Sequence, residues 1–507
     1  MRQIYNPYMP TFEYVPDGEP HVFGDRIYLY GSHDRFGGVE FCLNDYICYS
    51  APVTDLTDWR YEGVIYRKDQ DPRNQDIPGD IPPNKPGFMM DMGGEDSLNP
   101  PGIHAMWAPD VAQGPDGRFY LYYCLDYLNR IGVAVCHTPA GKYEFLGFVR
   151  HEDGVPLGDR EGDLLQFDPG IFVDEDGEIY LYSGNAPMRP EHRGEGQGSQ
   201  VMTLRQDMLT LKTDPKPLMP NIHESSGTGY EGHEFFEASS IRKINGKYYF
   251  VYSSVQSHEL CYAVSDKPDE GYQFGGTLVD IGDVFLNGRT AEEAVNCLGN
   301  THGGIECCEG QWYVFYHRQT NRTQYSRQGC AEKIYFDQTG HIAQAEVTSC
   351  GLNRGPLAGR GTYPAAICCH LTREGKAVFS HPKGMKLDYP YLTQDRKDAE
   401  PTPELLAEEE KQPIQYIHNI VNGTRIGYKY FNFQGMKALN LNCRGKAKGK
   451  FTVKTETDTC GEIPVDIDTP EWRELQAPVQ IPGGVHTLYL EYSGEGAPDM
   501  VSFTFWV

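Results

Sequence analysis

Five polar residues stand at matching positions along the first two thirds of the chain. Each precedes the central tyrosine of an aromatic-rich segment by 10 to 12 residues; they are Asp17, Asp110, Asp168, Glu237 and His302. A single Asp before a strand is usually a turn residue. Carboxylates that are crowded together, however, repel one another and raise each other's pKa, and such crowding is typical of functional sites. The matching register therefore predicts one shared site.

Clustered carboxylates serve three kinds of chemistry. They bind hard cations such as Ca²⁺, which takes about 6–8 oxygen ligands. They occur in phosphoryl-transfer sites, but the sequence has no GxxxxGK[ST] loop to cradle phosphates. They also cleave glycosidic bonds, where one carboxylic acid protonates the leaving oxygen and a second carboxylate activates water. Trp107 and Phe236 stand beside the acids and could pack on sugar rings, with ordinary core packing as the alternative.

The elements that must position these residues are short strands. A Gly-containing turn followed by an aromatic-rich strand recurs five times, for example as DGRFYLYYC (116–124) and NGKYYFVYS (245–253). Asp-Gly and Asn-Gly turns are strong hairpin signals. In a propeller the innermost strand of each blade lines the central channel, so five blades would bring all five polar residues to one end of it. The repeats predict an all-β fold that begins with a five-bladed β-propeller.

Charge limits the partners of this chain. Its 507 residues include 45 Lys and Arg against 71 Asp and Glu, a formal net charge of −26. Nucleic acids and anionic membrane surfaces are bound by clustered basic residues. We therefore expect no nucleic-acid partner and no membrane partner, and the sequence does not define an oligomeric state.

Cysteine usage and the N-terminal residues suggest a compartment. The chain starts with MRQIYNPYMP, which lacks the apolar region of a secretory leader. Its 14 Cys include no CxxC motif, so neither a zinc ribbon nor a redox motif is indicated. We expect reduced, mostly buried thiols and a cytoplasmic location.

The pattern changes after residue 355. Residues 356–413 are interpreted as a connector, because 383–412 are charged and Pro-containing and suggest one short acidic helix. Alternating strands resume in 414–507, for example in YKYFNF, HTLYLEYS and VSFTFWV. Several short strands over about 90 residues predict a β-sandwich. The domain prediction is therefore a propeller over 1–355, a connector and a C-terminal sandwich.

Several segments of the propeller resemble glycoside hydrolase family 43. They are PDGEPHVFGDRIYLYGSHD, MWAPDV, FDPGIFVDEDGEIYLY, FFEASSIRKINGKYYF and THGG with FYHR, in that order over residues 6–350. The resemblance implies a five-bladed propeller that inverts the anomeric centre. It also implies a general base at Asp17, an Asp168 that orients substrate and tunes a pKa, and a general acid at Glu237.

One departure from the family pattern leaves the base open to a second interpretation. Family members usually have Asp-Pro at that position, whereas this chain has Asp17-Gly18-Glu19-Pro20. Alignment through HVF, IY and SHD favours Asp17, and a shift onto the proline would favour Glu19.

The resemblance also suggests residues around the acids. His33, Asp34, Trp107, Asp110 and Phe236 are expected to line the sugar pocket. Arg318 and Arg327 are expected to contact sugar hydroxyls, with ion pairs that close the propeller as the alternative. His302 resembles a channel histidine that helps to hold a calcium ion or a water on the axis, and a hydrogen-bonded structural histidine is the alternative.

The expected function is an inverting, exo-acting glycoside hydrolase of the α-L-arabinofuranosidase or β-xylosidase type. Its expected partners are oligosaccharides containing arabinose or xylose, and it needs no cofactor beyond a possible structural Ca²⁺. A β-galactofuranosidase or another furanosidase of the same fold is the alternative enzyme. A non-catalytic sugar-binding propeller is the alternative of another class, and it predicts that one of the three carboxylates is missing. The C-terminal domain resembles a family 6-type carbohydrate-binding module, which either binds sugar or packs on the propeller.

Overall fold

The computed structural model describes residues 2–38, 40–74, 104–126, 128–189, 198–378, 388–399 and 401–506. Almost all of its regular structure is β, as predicted. The helices are short: α1 is Pro403–Ala407, and 3₁₀ turns occur at Lys68–Gln70, Pro72–Asn74, Leu286–Gly288, Ala291–Glu293, Ala365–Ile367 and Glu409–Lys411. No helix in the described part of the chain is both long and apolar enough to cross a membrane.

Five antiparallel sheets form the propeller blades. Blade 1 contains β1 (Glu19–Phe23), β2 (Arg26–Tyr30), β3 (Tyr46–Pro52) and β4 (Arg60–Tyr66). Blade 2 contains β5 (Met106–Gln113), β6 (Phe119–Leu125), β7 (Ile131–Cys136) and β8 (Glu144–Phe148). Blade 3 contains β9 (Gly170–Val173), β10 (Ile179–Ser183), β11 (Gln200–Leu204) and β12 (Lys216–Pro217). Blade 4 contains β13 (Phe235–Ile244), β14 (Lys247–Ser254), β15 (Glu259–Ser265) and β16 (Gln273–Asp280). Blade 5 contains β17 (Ile305–Cys308), β18 (Gln311–Gln319) and β19 (Arg327–Ile334).

The repeated aromatic segment is the second strand of every blade. It pairs with the innermost strand through a tight turn, and in blades 2 and 3 the turn glycines Gly117 and Gly177 have φ of 81° and 85°. Only glycine adopts this conformation without strain. The aromatic and aliphatic side chains of neighbouring blades form five buried clusters, one between each adjacent pair of blades. This ring of cores fixes the innermost strands around the axis.

The N-terminal segment closes the ring against blade 5. The Asn6 side chain donates to the carbonyl of Ala331 at 2.9 Å and accepts from the Ala331 amide at 3.0 Å. The amide group of Asn6 thus pairs with the outer edge of β19 as a neighbouring strand would. Unpaired strand edges are open to unwanted pairing, and this contact covers one of them.

The C-terminal domain is one curled sheet around a single core. Its strands are β20 (Leu357–Ala358), β21 (Gly361–Pro364), β22 (His370–Arg373), β23 (Tyr391–Gln394), β24 (Gln415–His418), β25 (Thr424–Phe433), β26 (Ala438–Lys454), β27 (Thr459–Pro478), β28 (Gly484–Gly496) and β29 (Asp499–Trp506). The long strand β26 pairs with β29 through its first half and with β28 through its second half. The sheet therefore folds over on itself, with buried Phe431, Phe451 and Phe503 between its two layers.

The segment interpreted as a connector contributes to this sheet. Strands β20 to β23 all lie within 356–413 and pair with strands of the C-terminal domain. Strands of two to four residues are too short for an alternating pattern to show in the sequence. The short acidic helix expected there corresponds to α1.

All 14 cysteines are free, and nine of them are buried. This agrees with the expected reduced thiols. Burial raises the pKa of most of these thiols, for example that of Cys308 to about 12, which makes them poor nucleophiles.

Candidate active site

Three carboxylates from three blades meet at one end of the propeller axis. Asp17 lies just before β1, Asp168 lies just before β9, and Glu237 is the third residue of β13. They act on each other: the charges of Glu237 and Asp17 both raise the pKa of Asp168, and the charge of Asp17 raises the pKa of Glu237. The structure thus brings together the three acids that the sequence singled out as catalytic.

Irregular backbone aims these side chains. Asp17 and Asp168 adopt left-handed φ values of 56° and 43°, a conformation that costs free energy for residues with a Cβ. Glu237 lies between two register shifts in the pairing of β13 with β14. Such strain and such bulges are concentrated at functional sites, where the surrounding structure holds them.

Asp17 is held in its ionised form. Burial is the largest effect and opposes its charge, but Arg327, whose Nη1 donates to Oδ1 at 3.0 Å, and the polar groups around the carboxylate together outweigh burial, and the pKa of Asp17 is lowered. The Asp17 amide donates to Nδ1 of His317, whose Nε2 lies 2.8 Å from the carbonyl of Asn300. Burial and Arg327 lower the pKa of His317 to about 3, so this imidazole is neutral and carries its proton on Nε2. The carboxylate is therefore ionised at neutral pH.

Arg327 is itself oriented by Asp34. Its Nε and Nη2 donate to the two oxygens of Asp34, both at 2.9 Å. The amides of Cys42 and Arg327 also donate to Asp34, each at 3.0 Å. Asp34 is fully buried. The oxygens of Asp34 accept from these donors, so Asp34 orients Arg327 beside the base and does not line the sugar pocket as predicted. Arg327 likewise faces Asp17 and Asp34 and not a sugar.

Glu237 is held in its protonated form. Burial first, and then the negative charge of Asp17, raise the pKa of Glu237 to about 8. The Asn185 side chain lies 3.3 Å from Oε2 of Glu237. Burial and the charge of Glu237 also raise the pKa of Asp168 well above its usual value. Asp17 is thus ionised at neutral pH, whereas Glu237 retains a proton.

His302 lies beside Asp168, with Nδ1 at 3.6 Å from Oδ2. Burial lowers the pKa of His302, so the imidazole is neutral. Ca²⁺ prefers a shell of several oxygen ligands. Within the described residues, no group of three or more possible metal ligands includes His302. This donor set does not fit a calcium ion held by protein oxygens, and no catalytic step is assigned to one.

Asp110 and Glu19 belong to a separate cluster further along the channel. Nε2 of His21 lies 2.6 Å from Asp110, and Arg242 lies 2.9 Å from Glu19. Asp110 also accepts from the Ile171 amide at 2.7 Å. The charges of Arg242, Asp110 and His21 act on Glu19, whereas the charge of Asp17 acts on Asp168 and Glu237. Asp17, not Glu19, therefore faces the acid, and Asp110 lies in the channel wall and not in the sugar pocket.

The remaining predicted site residues divide into two groups. Trp107 and Phe236 are half-buried and His33 is buried near the site, so their sugar contacts stay predictions. Arg318 donates to the carbonyls of Ala366 and Cys368 and to Gln328. It joins the propeller to the C-terminal domain and does not face the three acids.

Two residues of the site were not predicted from the sequence. His317 stands in the FYHR segment, one residue before Arg318, so it lay within a recognised motif. Asn185 follows β10 in a segment without a motif, and no signal in the sequence marked it.

The chain is similar to known proteins over half of its length or more. The sequence profile of glycosyl hydrolases family 43 matches residues 87–342. A xylosidase/arabinosidase of Thermoclostridium stercorarium is 46% identical over 508 residues, covering 99% of both chains. A β-xylosidase of Xylanibacter ruminicola is 28% identical over 66% of this chain and 98% of its own length. The crystal structure of an arabinoxylan arabinofuranohydrolase from Bacillus subtilis superposes with a TM-score of 0.48 at 20% identity, covering 99% of this chain and 97% of the other.

Proposed function

This chain belongs to glycoside hydrolase family 43 and is a glycoside hydrolase, and we propose that it releases terminal arabinose or xylose from oligosaccharides with inversion at the anomeric carbon. One observation carries the mechanism: the pKa of Asp17 is lowered while that of Glu237 is raised to about 8. Two carboxyl groups whose pKa values are moved apart are suited to act as base and acid.

In this mechanism Asp17 accepts a proton from the attacking water. Glu237 gives its proton to the glycosidic oxygen as that bond breaks, so the sugar leaves as a neutral alcohol. The water oxygen attacks the anomeric carbon from the face opposite the leaving group, which inverts the configuration. Asp168, on which the charges of both residues act, orients the sugar. Transfer of the proton on Asp17 to solvent and reprotonation of Glu237 restore the starting state.

The substrate class follows from the relatives. The 46% identical protein of Thermoclostridium stercorarium is described as a xylosidase/arabinosidase, and it spans this chain almost completely. Short arabinose- or xylose-containing oligosaccharides are therefore the proposed substrates. A non-catalytic sugar-binding propeller would lack part of the acid set, yet all three carboxylates meet here.

We also propose a reducing, cytoplasmic location, supported by the 14 free thiols. No calcium ion is assigned a role in hydrolysis, because the donor set around His302 does not fit one held by protein oxygens.

Proton NMR of fresh reaction mixtures tests this function. Aryl α-L-arabinofuranoside and aryl β-D-xyloside should each release a sugar whose first-formed anomer is opposite to that of the substrate. Release of the same anomer would show retention and contradict the assigned roles. No release from either glycoside would contradict the proposed substrate class.

A further inference from the structure

Strand β23 of the C-terminal domain lies between its own sheet and the propeller. One of its edges pairs with β24. On its other edge the Leu392 carbonyl accepts from the Asn321 amide at 2.8 Å, and the Thr393 hydroxyl donates to Oδ1 of Asn321 at 3.0 Å. Asn321 belongs to the connection between β18 and β19, and β19 begins at Arg327. The C-terminal domain therefore contacts the segment that leads to Arg327.

The residues after β23 reach the connection between β2 and β3 in blade 1. Oδ1 of Asp398 accepts from the Phe36 amide at 2.7 Å, and its Oδ2 accepts from Nδ2 of Asn44 at 3.2 Å. Nδ2 of Asn44 also donates to the carbonyl of Asp34 at 3.1 Å. Phe36 lies near the start of this connection and Asn44 near its end. One carboxylate of the C-terminal domain thus joins the two ends of the connection that carries Asp34.

Tyr14 links Asp34 to the end of β23 by a second route. The buried Tyr14 hydroxyl donates to Oε1 of Gln394, the last residue of β23, at 2.7 Å. The Tyr14 carbonyl accepts from the Asp34 amide at 2.9 Å. Nε2 of Gln394 donates to the carbonyl of Arg396 at 3.1 Å, two residues before Asp398. Asp34 and Asp398 are therefore both held against the end of the same strand.

Asp34 and Arg327 form the route from this strand to the base. Arg327 donates to Asp34 through Nε and Nη2 and to Asp17 through Nη1. The other ionisable groups that act on Asp17, or on which it acts, are His317, His302, Asp168 and Glu237. None of these four groups lies in the C-terminal domain. Within the described structure, that domain therefore acts on Asp17 through Asp34 and Arg327.

We propose that Asp398 is a positioning residue for the catalytic base, so that the C-terminal domain contributes to hydrolysis as well as to stability. Asp398 holds Asp34, Asp34 orients Arg327, and the guanidinium group keeps Asp17 ionised. Hydrogen bonds from amides to a carboxylate are stronger than those between neutral groups, which suits Asp398 to this role. The role of Asp17 as base rests on the proposed function, whereas the contacts of Asp398 do not depend on it.

The acidic limb of the pH profile of kcat/KM tests this role. Asp398→Ala removes both acceptor oxygens, so Asp34 and Arg327 should shift away from Asp17. We expect the acidic limb on an aryl glycoside to move upward by about one pH unit, because a close opposite charge lowers the pKa of a carboxyl group by about 1–3. Asp398→Asn keeps one acceptor for the Phe36 amide and should move the limb upward by a smaller amount.

Asp395→Ala is the matched control. Asp395 is exposed and lies on the same segment, but its Oδ1 accepts from the Ile414 amide at 2.8 Å, within the C-terminal domain. This substitution should leave the acidic limb in place. An NMR titration of ¹³C-labelled aspartate, with the Asp17 signal assigned by Asp17→Asn, gives the pKa of Asp17 without a substrate. That pKa should be higher in Asp398→Ala than in the wild-type protein and unchanged in Asp395→Ala.

An acidic limb and an Asp17 pKa that stay in place in Asp398→Ala would overturn the proposal, even if this variant unfolds at a lower urea concentration. An equal shift in Asp395→Ala would also overturn it, because the whole segment would then be responsible. Should Asp398→Ala fail to fold, Asp398→Asn decides by the same two measurements. A wild-type protein that cleaves no aryl glycoside, with an Asp17 pKa that rises in Asp398→Ala, would contradict the proposed function and leave the positioning role standing.

Discussion

Two chemically similar carboxyl groups take opposite protonation states in this site because their surroundings differ. Asp17 is buried but contacts Arg327, whose charge favours the carboxylate. Glu237 is half-buried without an ion pair to a cation among the described residues, and burial together with the negative charge of Asp17 favours its neutral form. Burial therefore has opposite outcomes, because Asp17 is hydrogen-bonded to a guanidinium group whereas Glu237 is exposed to the negative charge of Asp17.

This difference predicts a broad, bell-shaped pH dependence of kcat/KM. Activity requires ionised Asp17, whose lowered pKa keeps the rate high well into the acidic range. It also requires protonated Glu237, so the rate should fall as the pH rises through about 8. Initial rates on an aryl glycoside between pH 3 and pH 10 measure both limbs. An alkaline limb near pH 5 would show that Glu237 ionises like an ordinary carboxyl group.

At the scale of elements, the first and last blades together build the base. Arg327 begins β19 in blade 5, whereas Asp34 and Asp17 lie on either side of β1 and β2 in blade 1. The guanidinium group of Arg327 is hydrogen-bonded to both carboxylates, and the Arg327 side chain is 2% exposed. Closing the propeller therefore also places the positive charge that keeps Asp17 ionised.

Asp34→Asn should weaken the contact between residue 34 and Arg327, which both closes the propeller and places a positive charge beside Asp17. An asparagine offers one acceptor oxygen and an NH₂ group that repels the donors of Arg327, so the guanidinium group should shift from Asp17. We expect the acidic limb of the pH profile to move upward, and the free energy of unfolding to fall by about 3–5 kcal/mol because a buried charge loses its partner.

Asp45→Asn is the control for Asp34→Asn, since Asp45 pairs with the exposed Arg67 at 3.8 Å. This substitution should lower the free energy of unfolding by less than about 1 kcal/mol and should leave the acidic limb of the pH profile in place. Loss of stability with an unmoved acidic limb would show that Asp34 has no role in positioning the base.

The elements also show where sequence reasoning holds and where it fails. The register of the repeats located Asp17, Asp168 and Glu237, because hairpin geometry fixes how far each residue lies from the aromatic strand. Asp110 is 10 residues before its tyrosine, whereas Asp168 and Glu237 are 12 before theirs. Two residues along a strand are about 7 Å, which is enough to move Asp110 from the site into the channel.

Contacts between distant segments could not be predicted in the same way. The sequence assigned Arg318 to sugar binding because it follows the fifth aromatic strand. Its acceptors, Ala366 and Cys368, come from a 3₁₀ turn about 50 residues later. Nothing local in the sequence reports such a contact, and the same holds for the short strands between 357 and 394.

At the scale of the whole molecule, the propeller and the C-terminal domain share buried charges. Nζ of Lys429 in β25 lies 2.8 Å from Glu346 and 3.4 Å from Asp283, both on the propeller side. Burial raises the pKa of Asp283 to about 6, even though Lys429 acts to lower it. The ammonium group is therefore what allows Asp283 to remain charged at neutral pH within the interface.

Lys429→Met should destabilise the whole protein. Removing one partner leaves Asp283 buried and uncompensated, which typically costs about 3–5 kcal/mol. Urea unfolding followed by fluorescence measures the change. Lys446→Met is the control, because Lys446 forms an exposed pair with Asp468 at 2.7 Å and should cost less than about 1 kcal/mol. Equal effects of the two substitutions would mean that the interface does not depend on this charge.

The assignment of Glu237 as acid and Asp17 as base is the central claim, and leaving-group dependence tests it most directly. Proton donation matters most when the leaving group is a sugar alkoxide and little when it is a dinitrophenolate, which departs without a proton. General acid catalysis is typically worth about 10²–10⁴-fold. Steady-state kcat/KM should therefore be measured for Glu237→Gln and Asp17→Asn on an oligosaccharide and on a dinitrophenyl glycoside.

We predict that Glu237→Gln loses about 10²–10⁴-fold on the oligosaccharide but far less on the dinitrophenyl glycoside. Asp17→Asn should lose activity on both substrates to a similar extent, since water must be activated whichever group departs. Equal losses for Glu237→Gln on the two substrates would contradict its role as the general acid.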